Sequence, residues 1–174
     1  CEDNPNKAMN TNGKALEPIV EYCIESNAFL VYISSDYVFD GKKGDYCETD
    51  ETHAISAYGR SKLYGEEIIK QSECNFAIVR PNTLYGYQRD VNLNFVTWVI
   101  RQFQFQVPMR IVTDQVSNPS DVLDLTNLIL TIFDQEKTGI FHHGSINSLS
   151  RFDFVNEIAE VFDSDKTLVT AITL

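Results

Sequence analysis

The apolar runs in this chain are short and lack polar alternation. Phe29-Leu30-Val31-Tyr32-Ile33 is rich in β-branched and aromatic residues. Such a run suits a strand buried on both faces, as in a parallel sheet. Phe76-Ala77-Ile78-Val79 repeats the pattern, and Pro81, which cannot donate to a ladder, marks its end. Arg110-Ile111-Val112, Gly139 to His143 and the closing Leu168 to Leu174 read as further strands, the last one interrupted.

Helical periodicity fills the intervals. Cys1 to Ser26 reads as a helix, with Ala15, Leu16, Ile19, Val20, Cys23 and Ile24 on the helical period. Asn4-Pro5 supplies its cap and first turn, and Pro18 is expected to kink or divide it. A second helix opens at a Ser56 cap and runs through Leu63, Ile68 and Ile69 to about Gln71. A third spans Asn94 to about Phe105, with Phe95, Val99, Ile100 and Phe103 packed inward. In a fourth, from Asp121 to Phe133, Val122, Leu125, Ile129, Ile132 and Phe133 are expected to face the core. Ser150 and Asp153 form the pattern of a capping box for a last helix with Val155, Ile158, Ala159 and Phe162 on its apolar face. Asp40 to Asp45 is a turn-rich loop. The pattern is α/β, with no internal repeat and no low-complexity tract.

Composition narrows the function classes. The chain has 174 residues, enough for a real core, and 43% of them are hydrophobic. A formal net charge of -11 with no basic patch argues against nucleic acid or an anionic membrane surface as partner. No apolar stretch reaches the roughly 20 residues of a membrane span. Cys1, Cys23, Cys47 and Cys74 are widely spaced without a Cys-x-x-Cys pair, which reads as reduced cytoplasmic thiols and no metal site. His142 and His143 adjoin in a strand and so point to opposite faces, which suits a structural role better than chelation.

The candidate chemistry lies between Phe29 and Lys62. Ser34, Ser35 and Asp36 follow the first strand, and in open α/β sheets ligands sit beyond the carboxyl ends of strands. Tyr58 and Lys62 are four apart, so on a helix they share a face. A phenol titrates near 10. An ammonium held beside it favours the phenolate, bringing proton transfer closer to working pH. A strand-end serine could hydrogen-bond the same substrate oxygen: Ser35 polarises, Tyr58 transfers the proton, Lys62 tunes. Taken alone, Tyr-x-x-x-Lys is also what an amphipathic helix carries by chance, as a half-buried tyrosine and a solvated lysine. The upstream serines favour the chemical reading.

Four segments together carry a resemblance: SSDYVFDG from Ser34, YGRSKLYGE from Tyr58, RPNTLYG from Arg80 and DQVSNPS from Asp114, followed by Gly139-Ile140-Phe141-His142. In type and order they resemble the extended short-chain dehydrogenase/reductase family, dTDP-4-dehydrorhamnose reductase branch. The resemblance implies a partial Rossmann fold, a doubly wound parallel sheet, with a small C-terminal substrate-binding region. It assigns residues 1–86 to the C-terminal part of an NAD(P)-binding Rossmann domain with the catalytic motif. Residues 87–174 become mainly the substrate-binding region, with segments returning to the sheet. The implied function is NADP(H)- or NAD(H)-dependent reduction of a 4-keto sugar nucleotide. Ser35, Tyr58 and Lys62 are then catalytic, and Tyr58, Lys62, Pro81 and Asn82 neighbour the cofactor. Ser35, Asp36, Thr83 and Gln115 line the substrate. Thr83 departs from the tryptophan usual there in rhamnose-forming enzymes, which leaves the sugar open. Asn12 matches an asparagine common at its position, with helix packing an equal reading. The resemblance leaves room for a homodimer and implies a cytoplasmic protein.

Two other readings stand beside it. One is an extended-family epimerase or dehydratase, although Asp36-Tyr37 lacks the Asp-Glu pair a dehydratase uses. The other is a binding protein like the regulatory β subunit of methionine adenosyltransferase. The sequence contains no glycine-rich dinucleotide fingerprint. The 174 residues are therefore expected to be a fragment truncated at both ends, with negligible cofactor affinity alone.

Overall fold

A computed structural model describes residues 1–87 and 94–174. In chain order the elements are α1 (Pro5–Ala8), α2 (Glu17–Ser26), β1 (Leu30–Ile33), α3 (Ala57–Lys70), β2 (Phe76–Pro81) and β3 (Leu84–Tyr85). Then come α4 (Phe95–Gln104), β4 (Met109–Val112), β5 (Val116–Ser117), β6 (Ser120–Asp121) and α5 (Val122–Asp134). The last are β7 (Gly139–His143), β8 (Leu149–Ser150), α6 (Arg151–Val161) and β9 (Val169–Ile172). They form two compact units, residues 1–81 with 126–143, and residues 82–125 with 144–174.

The first unit holds a parallel sheet in the order β1-β2-β7. Leu30 pairs with Phe76 and Ile33 with Val79, while Ala77 pairs with Gly139 and Pro81 with His143. The central strand β2 is buried from Ala77 to Pro81, as its unbroken apolar run requires. It continues through Arg80 to Pro81, two residues beyond the apolar run that predicted it. Leu16, Val20, Cys23, Tyr32, Ile69, Cys74 and Ile78 form the core beneath it.

The second unit pairs its strands two by two. β3 runs parallel to β6, β4 parallel to β9, and β5 antiparallel to β8. Its core packs Val99 and Phe103 of α4 and Met109 and Ile111 of β4 against Phe154, Val155, Ile158 and Ala159 of α6.

Three expectations need correcting. The single helix over Cys1–Ser26 is broken. Asn4 caps α1, but Met9–Gly13 takes a π turn and Lys14–Leu16 a 3-10 turn before α2 begins. Asn10, Thr11, Asn12 and Gly13 are weak helix formers, and Pro18 fits only in the first turn of a new helix. On α5 the buried stripe narrows to Leu125 and Ile132, seven apart. Val122 and Phe133 are 41% and 57% exposed on its margins. Phe162 lies past the end of α6 and is 53% exposed.

Candidate active site

The first unit gathers most of the sequence-predicted chemistry at the carboxyl end of β1. Ser34 and Ser35 are buried there. Ser35 caps a 3-10 turn over Asp36–Val38: its hydroxyl accepts the Tyr37 N–H at 3.2 Å and donates to Asp36 Oδ1 at 3.0 Å. The start of α3 is fixed by Ser56, whose hydroxyl accepts the Gly59 N–H at 2.9 Å.

Gly59 explains how the helix comes so close to that turn. A Cβ there would lie 2.1 Å from the Tyr37 carbonyl oxygen, an impossible contact. Glycine therefore brings the neighbouring Tyr58 against the strand end, where its ring meets Tyr37 edge-on with centroids 5.8 Å apart. Gly65 does the same farther along, where a Cβ would meet Leu16 at 2.5 Å and the Tyr32 hydroxyl at 2.7 Å.

Lys62 Nζ donates to the Ile33 carbonyl at 2.8 Å and stands over the Tyr32 ring at 4.9 Å. Asn12 serves packing on this face: its side-chain amide donates to Ser61 Oγ at 3.1 Å, and its backbone carbonyl accepts from the Tyr32 hydroxyl at 3.2 Å.

The electrostatics differ from the sequence expectation. Burial pushes the Tyr58 phenol above its ordinary value, and hydrogen bonding by Ser35 only partly offsets this. Burial also pushes Lys62 down. The ammonium is engaged by a strand carbonyl, so desolvation outweighs the expected lowering of the phenol. In this state Tyr58 is a proton-holding acid, not a phenolate.

Beneath these residues lies a network that sequence reasoning missed. Glu66, fully buried, accepts from Arg80 Nε at 2.8 Å and Nη2 at 2.6 Å, and from Ser34 Oγ at 2.6 Å. Arg80 Nη1 faces His142 Nε2 at 3.3 Å, and His142 Nδ1 lies 3.1 Å from the Tyr46 carbonyl. A guanidinium can only donate, so Nε2 is the acceptor and the His142 proton sits on Nδ1. His142 is structural, as its strand position predicted. A signal for this network did exist: a lone arginine in a buried strand must be paired.

Pro81 ends β2, and Asn82 opens the second unit with its side chain accepting the Thr83 N–H at 2.8 Å. In that unit Thr83 and Gln115 meet through Arg151, which no sequence argument selected. Arg151 Nη2 donates to Thr83 Oγ1 at 3.1 Å, and its backbone N–H donates to the Gln115 carbonyl at 2.9 Å. Gly144 packs here too, where a Cβ would lie 2.9 Å from that of Asn118. Among the described residues no three His, Cys, Asp or Glu side chains gather as a metal site would need. The four cysteines are free.

The sequence profile described as the RmlD substrate binding domain matches residues 1–174, the whole chain. This chain belongs to that family. A curated relative of this RmlD-family chain is named probable low-salt glycan biosynthesis reductase Agl14, from Haloferax volcanii. It is 33% identical over 97% of the chain and 57% of its own length. A solved dTDP-4-dehydrorhamnose reductase from Clostridium acetobutylicum is 34% identical with a TM-score of 0.90, covering 99% of this chain and 60% of that one. The Bacillus anthracis dTDP-4-dehydrorhamnose reductase, solved in complex with NADP, is 29% identical with a TM-score of 0.90, at 99% and 60% coverage. Methionine adenosyltransferase 2 subunit beta of Xenopus laevis is 28% identical over 99% of the chain and 53% of its own length. The chain thus spans little more than half the length of the relatives it matches. These likenesses fix the fold as Rossmann-like α/β, as the motifs implied.

Proposed function

We propose that this RmlD-family chain is part of an NAD(P)H-dependent reductase of a 4-keto sugar nucleotide, of the dTDP-4-dehydrorhamnose reductase kind. One observation carries the reading: at the carboxyl end of β1 the Tyr58 ring packs edge-on against Tyr37, whose N–H Ser35 holds, with Lys62 anchored to the Ile33 carbonyl beside them. A bound nicotinamide would supply the hydride. Tyr58 holds its proton through neutral pH and delivers it to the ketone oxygen. Ser35, turning its one O–H from Asp36 to the substrate, donates to the same oxygen and orients it. Lys62 uses one of its three N–H donors on Ile33, leaving donors for ribose hydroxyls. The donor set therefore fits the nicotinamide end of a dinucleotide, with Pro81 and Asn82 as the adjoining strand end. The sequence holds no glycine-rich loop for the diphosphate.

On this reading the first unit carries the cofactor-side chemistry. The substrate-side residues of this reading are Asp36 in the first unit and Thr83 and Gln115 in the second, each taken within its own unit. The reading also includes a cytoplasmic protein able to form a homodimer, with no nucleic-acid or membrane partner. The net charge of -11 supports the absence of a nucleic-acid or anionic-membrane partner, and among the described residues no helix is long and apolar enough to cross a membrane. The test is NADPH absorbance in the full-length protein with dTDP-4-dehydrorhamnose. Oxidation is expected; bound NADPH that is never oxidised by any keto sugar nucleotide would contradict it. The 28% identity to methionine adenosyltransferase subunit beta keeps a binding-protein role as the second reading. Stoichiometric association with a synthetase and no turnover would favour that role.

A further inference from the structure

We propose that Arg151 is a substrate-binding, specificity-determining residue that takes an oxyanion of the sugar nucleotide. The inference rests on the reductase reading and adds a contact which that reading does not contain.

The case begins with donors that have nowhere to go. Arg151 Nη2 has Thr83 Oγ1 as its partner at 3.1 Å, while Nη1 is buried and has no hydrogen-bond partner among the described residues. No carboxylate pairs with this guanidinium there either. Buried polar groups are almost always satisfied, and exceptions concentrate where a ligand completes them.

Position strengthens the case. Arg151 is the first residue of α6, the end of a helix where the macrodipole disfavours a cation. The helix end does not reward a cation at that place, but an incoming anion would. Its guanidinium lies on the Phe95 ring at 4.7 Å, which holds the plane of the fork in one orientation. The side chain as a whole is partly exposed, so a ligand can approach it.

The neighbours are those assigned to substrate on other grounds. Arg151 bonds Thr83 through its side chain and Gln115 through its backbone. In a chain of net charge -11, a dianionic nucleotide cannot be held by the overall field. It needs a local cation, and a planar fork matches a phosphate or carboxylate in two-point contact. The oxyanion is either the diphosphate bridge or a carboxylate on the sugar.

The test uses the full-length protein and calorimetric titration of dTDP, UDP and GDP, with thymidine as the uncharged control. UDP-glucuronate set against UDP-glucose probes the carboxylate. Arg151→Met keeps the stem over Phe95, and Arg151→Lys keeps the charge without the fork. Arg151→Met should weaken the preferred nucleoside diphosphate about 10- to 100-fold. Arg151→Lys should restore part of the loss, with NADPH affinity and melting temperature unchanged as controls on folding. Loss confined to the preference for UDP-glucuronate would assign the carboxylate instead. A wild type that reduces its keto sugar, with Arg151→Met equal to it on every ligand, would overturn this inference and leave the reductase reading intact. A wild type that binds no nucleotide and oxidises no NADPH would overturn both.

Discussion

Arg80 and Arg151 each take guanidinium nitrogens out of water, one in each unit, and only Arg80 is fully answered. Arg80 is buried on β2, with Glu66 gripping two of its nitrogens at 2.8 and 2.6 Å and His142 meeting the third at 3.3 Å. Arg151 has one threonine, one aromatic face and a buried nitrogen with no partner among the described residues. The same side chain therefore does two jobs. A closed network ties α3 to the ends of β1 and β2 and so fixes where Tyr58 and Lys62 stand. An open one is poised for a ligand. Satisfied polar networks rigidify and specify a single arrangement, whereas unsatisfied donors mark places where the fold alone is incomplete.

The comparison can be broken most forcefully at Glu66. Glu66→Ala leaves Arg80 charged, buried and unpaired. We expect it to cost about 3–5 kcal/mol in urea unfolding of the full-length protein. The double variant Glu66→Leu/Arg80→Met removes both charges together, so most of that loss should return. If the double variant is as unstable as the single one, the pair is not acting as a closed unit.

Arg151 should behave in the opposite way. Arg151→Met gives up a cation–π contact and one hydrogen bond but also removes an unsatisfied buried donor. Stability is expected to stay within about 1 kcal/mol of wild type. A loss as large as that of Glu66→Ala would place Arg151 in the framework and erase the contrast.

The smallest effect concerns pH. Burial raises Tyr58 above its ordinary value and lowers Lys62 below its own. Reduction needs the phenol protonated and the ammonium charged, so kcat/KM should be flat through neutral pH and fall only on the alkaline side. Lys62 gives up its proton at lower pH than an ordinary lysine, while Tyr58 keeps its own to higher pH than an ordinary tyrosine. By linkage the same depression makes charged Lys62 a small destabilising feature that is relieved as pH rises through that value. An inflection of kcat/KM near neutrality assignable to Tyr58 would instead show a phenol lowered by its lysine.

Much of this contrast was illegible in the sequence, for physical reasons. The Ser56 cap, the four-residue spacing of Tyr58 and Lys62 and the unbroken strand Phe76–Val79 are local patterns, and each appears where the pattern put it. Glu66 and Arg80 are 14 residues apart on different elements, and a glutamate in a helix ordinarily reads as solvated. Only the loneliness of Arg80 in an apolar strand hinted at a partner. Nothing local singles out Arg151, because no sequence pattern tells that Thr83, 68 residues away, stands beside it. The raised phenol was missed because spacing shows which residues share a face but not where an ammonium points.

The account's central claim is that Tyr58 delivers the proton in a reductase of keto sugar nucleotides, and Tyr58→Phe tests it most directly. NADPH oxidation should be followed in the full-length protein with dTDP-4-dehydrorhamnose, beside NADPH affinity and thermal melting of the same samples. The account predicts a fall in kcat of about 100- to 10,000-fold with affinity and melting temperature unchanged. A variant that turns over at the wild-type rate would remove Tyr58 from the chemistry and with it the reading of this site.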